Sequence, residues 1–256
     1  MKLDIFDSHA HYDDEAFNED REQVIREIAE VGVIGVLNCG SSIEGARMSL
    51  KLAEEKAMFY AAVGIHPEYA DSVNDGMLKE ISNMARSNKV KAIGEIGLDY
   101  YYEENPSREV QREAFRKQMK LAEELSLPVV IHDRDAHEDT LNIIREFPAV
   151  RGVVHCFSGS TEFARECLKA GYYIGVTGVV TFKNAKKIVE VVKDVPLNRL
   201  LVETDCPYMA PVPFRGKRNR SDYIVHILEV MADIKGLTVE EMCKYTVQNV
   251  GDLLNL

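Results

Sequence analysis

The sequence predicts an α/β chain folded as one (β/α)8 barrel of the TIM type, a single domain over residues 1–256. Three observations predict it. Eight short apolar runs recur along the chain, segments with helical spacing lie between them, and residues able to ligate metal sit at the far ends of five of the runs. Short, nearly continuous apolar strands alternating with helices imply a parallel sheet covered on both faces. A doubly wound open sheet is the structural alternative. An open sheet gathers its site at one switch point, whereas ligands from runs one, four, five, six and eight can converge only if the sheet closes.

The elements follow in order. Run one, Leu3 to Phe6, leads to His9 and His11; Val24, Ile28 and Val31 then lay a helical stripe, and Asp20 with Gln23 has the spacing of a capping box at that helix's start. Runs two and three, Val33 to Leu37 and Met58 to Val63, bring the chain to Gly64-Ile65-His66-Pro67. Run four, Val90 to Ile93, reaches Glu95 and is followed by the stripe Phe115, Met119 and Ala122. Run five, Val129 to Ile131, delivers His132, with His137 in the first turn of the next helix; run six, Val153 to Val154, delivers His155. Run seven spans Tyr172 to Val176 and run eight, Leu200 to Val202, delivers Asp205. Ile224, Ile227, Leu228 and Met231 form a further stripe in a helix that also carries His226, and Thr238 with Glu241 caps the helix that closes the chain. Neither His137 nor His226 is assigned to metal. No Pro-, Gly- or Ser-rich linker, internal repeat or low-complexity stretch divides the chain.

Composition narrows the class. With 46% hydrophobic and 29% charged residues among 256, the chain can bury a full core. Met1-Lys2-Leu3-Asp4 lacks the apolar segment of a signal peptide and no run approaches the roughly 18 apolar residues of a membrane span, so a cytoplasmic protein with no membrane contact and no obligate protein partner is expected. Cys39, Cys156, Cys167, Cys206 and Cys243 are odd in number and show no C-x-x-C spacing, which points to buried thiols rather than disulfides or thiolate zinc. A net charge of −11 argues against a general polyanion binder. Arg215-Gly216-Lys217-Arg218-Asn219-Arg220 overrides it locally, placing four cations in six residues beyond Asp205. Arg215, Lys217 and Arg218 are therefore candidate substrate contacts.

In Asp7-Ser8-His9-Ala10-His11 the two imidazoles lie two residues apart, and strand side chains alternate, so both face one way and can hold one ion together. The remaining segments are Gly64-Ile65-His66-Pro67, Gly94-Glu95-Ile96-Gly97-Leu98-Asp99-Tyr100, Ile131-His132-Asp133-Arg134, His155-Cys156-Phe157-Ser158-Gly159 and Glu203-Thr204-Asp205-Cys206-Pro207-Tyr208. In that order and spacing, across essentially the whole chain, they resemble the TatD family of metal-dependent deoxyribonucleases, a branch of the amidohydrolase-like barrels. The resemblance implies that His9 and His11 bind one divalent ion with Asp205, that His132 and His155 bind a second, and that Glu95 bridges the two. It also implies hydrolysis of DNA phosphodiester bonds, often by 3'-5' exonuclease action on single strands, with magnesium or manganese.

The chemistry of the residues agrees. Phosphodiester anions resist water, and two metal ions about 3.5 to 4 Å apart both acidify a water and clamp the attacking and leaving oxygens. Glu95 suits a bridge because each oxygen can serve one ion, and Asp205 can touch an ion through one oxygen and act as general base through the other. Four imidazoles favour softer ions such as zinc, manganese or iron, the resemblance favours magnesium or manganese, and manganese satisfies both. Arg134, two residues past His132, can fork onto phosphate oxygens, and His66 can contact the same phosphate or the leaving oxygen. Tyr100, Tyr101 and Tyr102 follow the Glu95 segment on the same rim and can stack bases. One departure stands out: where the family continues Arg-Gly-Lys-Arg-Asn with Glu-Pro, this chain has Arg220-Ser221. The alternative readings are the same bimetal barrel acting on a small ester, amide, lactone or phosphotriester, and a metal-stabilised binding protein without turnover.

Overall fold

The computed structural model describes residues 3–256, so the reading of the amino terminus rests partly on residues 1 and 2, outside the described residues. Each of the eight apolar runs becomes a strand: β1 (Ile5–Ala10), β2 (Val33–Cys39), β3 (Phe59–Val63), β4 (Val90–Asp99), β5 (Val129–Arg134), β6 (Gly152–Val154), β7 (Tyr173–Val176) and β8 (Leu200–Val202). They pair in parallel in the order β1 to β8. Between them run α1 (Arg21–Val31), α2 (Ile43–Glu55), α3 (Asp75–Met84), α4 (Arg108–Leu125), α5 (His137–Glu146), α6 (Thr161–Lys169) and α7 (Lys186–Asp194), with α8 (Ile224–Lys235) and α9 (Val239–Leu254) after β8. This is a nearly closed (β/α)8 barrel in one domain. Among the described residues no helix is long and apolar enough to cross a membrane.

Two apolar layers hold it. The outer layer lies between strands and helices, where Val24, Ile28, Phe115, Met119, Ala122, Ile227 and Met231 are buried as their spacing predicts. The inner layer takes at least one side chain from every strand: Phe6, Leu37 and Cys39, Ala62, Ala92, Val130, Val153, Tyr173 and Leu201. Val250, Leu253 and Leu254 of α9 join this inner layer and seal the mouth where the strands begin, and Asn249 beside them donates to the carbonyls of Leu197 and Leu200. A packed interior rather than a pore is what eight parallel strands enclose.

Two local expectations fail. Asp20 makes no cap bond to α1; its carboxylate is drawn instead to Arg218, while the Gln23 side chain donates to Glu27. Val31 is 52% exposed because α1 ends there at Gly32, and Ile25 takes the buried position instead. The Thr238–Glu241 capping box is present in full.

β1, β4 and β5 run past their apolar stretches into polar sequence. In β1 the change of residue type comes with a change of facing. Phe6 lies in the inner layer but Ala10, of the same parity, lies in the outer one, and the register against β2 shifts between Asp7 and Ala10. That irregularity turns His9 and His11 inward, where strict alternation from Phe6 would turn them out.

Between β8 and β1 the ladder gives way to other bonds. Asp205 N donates to His9 O at 2.9 Å and His11 N to Cys206 O at 2.8 Å. Below them the buried Asp7 carboxylate accepts from the backbone N–H and the hydroxyl of Thr204 at 3.0 and 2.6 Å, and from Ser221 Oγ at 2.7 Å.

Candidate metal centre

All six candidate ligands meet at the mouth where the strands end. Around one point, His9 Nε2 and His11 Nε2 are 3.0 Å apart, Glu95 Oε2 lies 3.4 and 3.5 Å from them, and Asp205 Oδ1 lies 3.7 and 3.3 Å from them. Nitrogen and oxygen donors about 2.0–2.2 Å from a shared cation stand roughly 3.0–3.6 Å apart, so the spacing matches a coordination shell. The second oxygen of Glu95 looks the other way. Glu95 Oε1 lies 2.9 Å from His132 Nδ1, 2.9 Å from His155 Nε2 and 3.8 Å from His66 Nε2. His155 also stacks on His9, with ring centroids 3.8 Å apart. Three groups of donors are close enough to share an ion: His9 with His11 and Asp205, His9 with Glu95 and His155, and His66 with Glu95 and His132.

Electrostatics favour positive charge here. Burial works against ionising Glu95, yet His155 and His9 outweigh it and hold its carboxyl well below the usual range; His11 does the same for Asp205. Burial works against charging His11 too, but Asp205 and Glu95 push it up to about 9, and Glu95 and Glu203 raise His155. His9 moves down, through burial and through the neighbouring His155. Two ionised carboxylates among imidazoles that compete for protons are a donor set that divalent cations satisfy better than protons do.

Side chains beyond these six orient them. Asp99 Oδ2 lies 3.1 Å from His132 Nε2, and Glu203, fully buried, holds Oε1 3.4 Å from His155 Nδ1 while accepting from Cys156 N. A carboxylate hydrogen-bonded behind a ligating imidazole fixes its tautomer and aim, as Asp99 does for His132; Glu203 stands behind His155 without a hydrogen bond to Nδ1. Neither was expected from sequence, although Asp99 lies four residues past Glu95 and Glu203 two before Asp205. Glycine makes room twice. A Cβ at Gly97, where φ is +142°, would stand 2.0 Å from His132 O, and one at Gly175 would stand 2.5 Å from the Glu203 carboxylate.

The substrate candidates divide. His66 and Arg134 line the same cavity of about 520 Å³ as Glu95, His132 and Asp205. His66 Nδ1 accepts from Glu68 N at 3.2 Å, which leaves the ring proton on Nε2, facing the cavity; burial and the neighbouring His132 push its pKa down to about 3. Tyr100 is not brought to the cavity: its hydroxyl donates to Asp139 at 2.7 Å and the Arg108 guanidinium covers its ring. Arg218 is likewise taken up, pairing with Asp20 at 2.6 Å and lying over Phe17. Arg215, Lys217 and the paired Arg218 line an adjoining groove with Tyr208, where Arg215 rests on Phe182. The departure at Arg220-Ser221 is built into the fold, for Arg220 pairs with Glu27 and Asp222, and Ser221 is buried with its N–H on Tyr12 Oη and its hydroxyl on Asp7. Proline at 221 would supply neither donor.

Residues 6–255 match the sequence profile described as TatD related DNase. The chain is 42% identical to "Uncharacterized metal-dependent hydrolase YabD" of Bacillus subtilis (strain 168), over 98% of this chain and 99% of that one. It is 37% identical to "Uncharacterized metal-dependent hydrolase YcfH" of Escherichia coli (strain K12), over 98% and 96% of the two chains. Among solved structures it is similar to YjjV, a TatD homologue from Escherichia coli K12, with a TM-score of 0.93, 32% identity and all of both chains covered.

Proposed function

The chain belongs to the family of TatD-related DNases and is a metal-dependent hydrolase, and from that premise we propose that it hydrolyses DNA phosphodiester bonds, as a 3'-5' exonuclease on single strands. One observation carries the reading: Glu95 turns its two oxygens toward two different sets of imidazoles, with Asp205 closing one set. His9, His11, Asp205 and Glu95 would hold one divalent ion, and Glu95, His132 and His155 a second, with manganese or magnesium as the working ions. When bound, such ions acidify water and cover charge on phosphoryl oxygens.

The side chains do the rest. Asp205 faces His11 through Oδ1, and its Oδ2, with no protein partner among the described residues, takes the proton of the attacking water. His66 donates from Nε2 to a phosphoryl or leaving oxygen. Arg134 forks onto the phosphate and sets the strand's register. Asp99 and Glu203 keep His132 and His155 aimed.

The test is release of terminal nucleotides from 5'- and 3'-labelled single strands with manganese or magnesium, stopped by chelation. Steep loss of binding as salt rises accompanies a nucleic-acid substrate. Salt-independent turnover of a small uncharged ester, with no release from any strand, would refute this reading.

A further inference from the structure

Arginines on this surface mostly hold carboxylates: Arg112 pairs with Asp139, Arg116 with Glu146, and Arg165 with Asp194. Arg134 is different. It is flanked in sequence by Asp133 and Asp135, yet among the described residues no carboxylate pairs with it, and Asp133 turns to His137 at 3.0 Å. Its guanidinium carbon instead sits 3.9 Å from the ring centre of Tyr101 and 4.9 Å from that of Tyr102, and Nη1 donates to Tyr102 Oη at 3.3 Å.

The rings themselves are left open, Tyr101 being 55% and Tyr102 46% exposed, with edge-to-face centroids 4.9 Å apart. Tyr102 lines the cavity together with Arg134, and Tyr101 stands beside it. Their position is fixed rather than loose. Asp99 Oδ1 accepts from Tyr101 N at 2.9 Å while its Oδ2 faces His132, and Tyr100 N donates to Arg134 O at 2.9 Å. One buried carboxylate thus sets both the aim of a candidate ligand and the height of the two rings beside it.

We propose that Tyr101, Tyr102 and Arg134 form a subsite for one unpaired nucleobase of the substrate strand, next to the phosphate that is cut. The inference rests on the nuclease reading and specifies how that site selects its substrate. Ring faces and a guanidinium plane accept any base by stacking, and the N–H groups of Arg134 not given to Tyr102 can meet that nucleotide's phosphate. The two rings stand at 88°, so a base stacks on one of these faces; it has then left its stack and its partner, and a paired end must fray before it is cut.

The experiment compares kcat and KM of the manganese-loaded protein on short single strands carrying an abasic residue at each of the last three 3' positions in turn. It is run with wild type, with Tyr101→Ala/Tyr102→Ala and with Tyr101→Phe/Tyr102→Phe. One abasic position lowers wild-type kcat/KM about tenfold, chiefly through KM; the double-Ala variant shows that loss on the intact strand and loses nothing more at that abasic position. The double-Phe variant keeps the rings but loses the Tyr102 hydroxyl bonded to Arg134, and it keeps the tenfold penalty at that abasic position. Equal fractional losses from the abasic change in wild type and double-Ala enzyme, or no loss in either, overturn the subsite while leaving the nuclease reading intact. Failure of the wild type to release nucleotides from any strand overturns the nuclease reading, and the subsite with it.

Discussion

The two halves of the barrel interior are built from the same eight strands and share almost no chemistry. In the lower half every strand contributes an apolar side chain, from Phe6 to Leu201, and α9 seals the end with Val250, Leu253 and Leu254. In the upper half five of those strands, or their first residues beyond, supply four imidazoles and the carboxylates of Glu95, Glu203 and Asp205, all buried or nearly so. The change takes only two or three residues per strand. The lower layer supplies the burial that folding needs, so the upper layer can hold close-packed like charges that no apolar core would tolerate. Stability and chemistry are thereby separated along one axis, and substitutions at the two ends should have different consequences.

The largest effect is expected at the top. Asp205→Asn should lower strand hydrolysis by about 10³-fold while thermal unfolding of the metal-free protein stays near wild type, because the amide keeps the shape and cannot take a proton. An unchanged rate would remove Asp205 from the mechanism. At the bottom, Leu253→Ala should cost about 2–5 kcal/mol in unfolding by denaturant and leave kcat of the folded fraction unaltered. A fall in kcat at low temperature would break the separation between the two layers. Glu203→Gln tests the boundary: the neutral side chain supports His155 less firmly, so manganese affinity should weaken about 10- to 100-fold in a metal titration. Unchanged affinity would reduce Glu203 to packing. The smallest effect is expected for Tyr100→Phe, which removes one hydrogen bond to Asp139 and should cost about 1 kcal/mol in stability with turnover unchanged. A marked rise in KM would return Tyr100 to the substrate surface.

Much of this division could be read from the chain. Apolar runs bounded by polar residues mark strands whatever they pack against, so all eight were legible, as was the convergence of ligands from five of them. The facing of His9 and His11 was legible only in part: their shared side follows from spacing, but the irregularity after Asp7 that turns it inward leaves no sequence signature. Asp99 and Glu203 are not legible, because a lone acid near a ligand reads as any surface acid until its partner ring is located. The basic segment is legible only in part, for the opposite reason. Arg218 and Arg220 advertise charge in sequence, but their partners Asp20 and Glu27 lie on the far side of the primary structure and neutralise them locally. Tyr100 and Tyr101 are neighbours with different fates, decided by Asp139 and Arg108 on one side and by Arg134 on the other.

The join between the last strand and the first has a further consequence. The backbone bonds that fasten it are made by His9, His11, Asp205 and Cys206, three of them proposed ligands, where an ordinary barrel would have a continuous ladder. A cation gripped from both sides of that join would act as a rivet, and ligand linkage would then tie the durability of the whole ring to the supply of divalent ions. On that reading, protease nicking or amide exchange of the chelated protein should begin along this line.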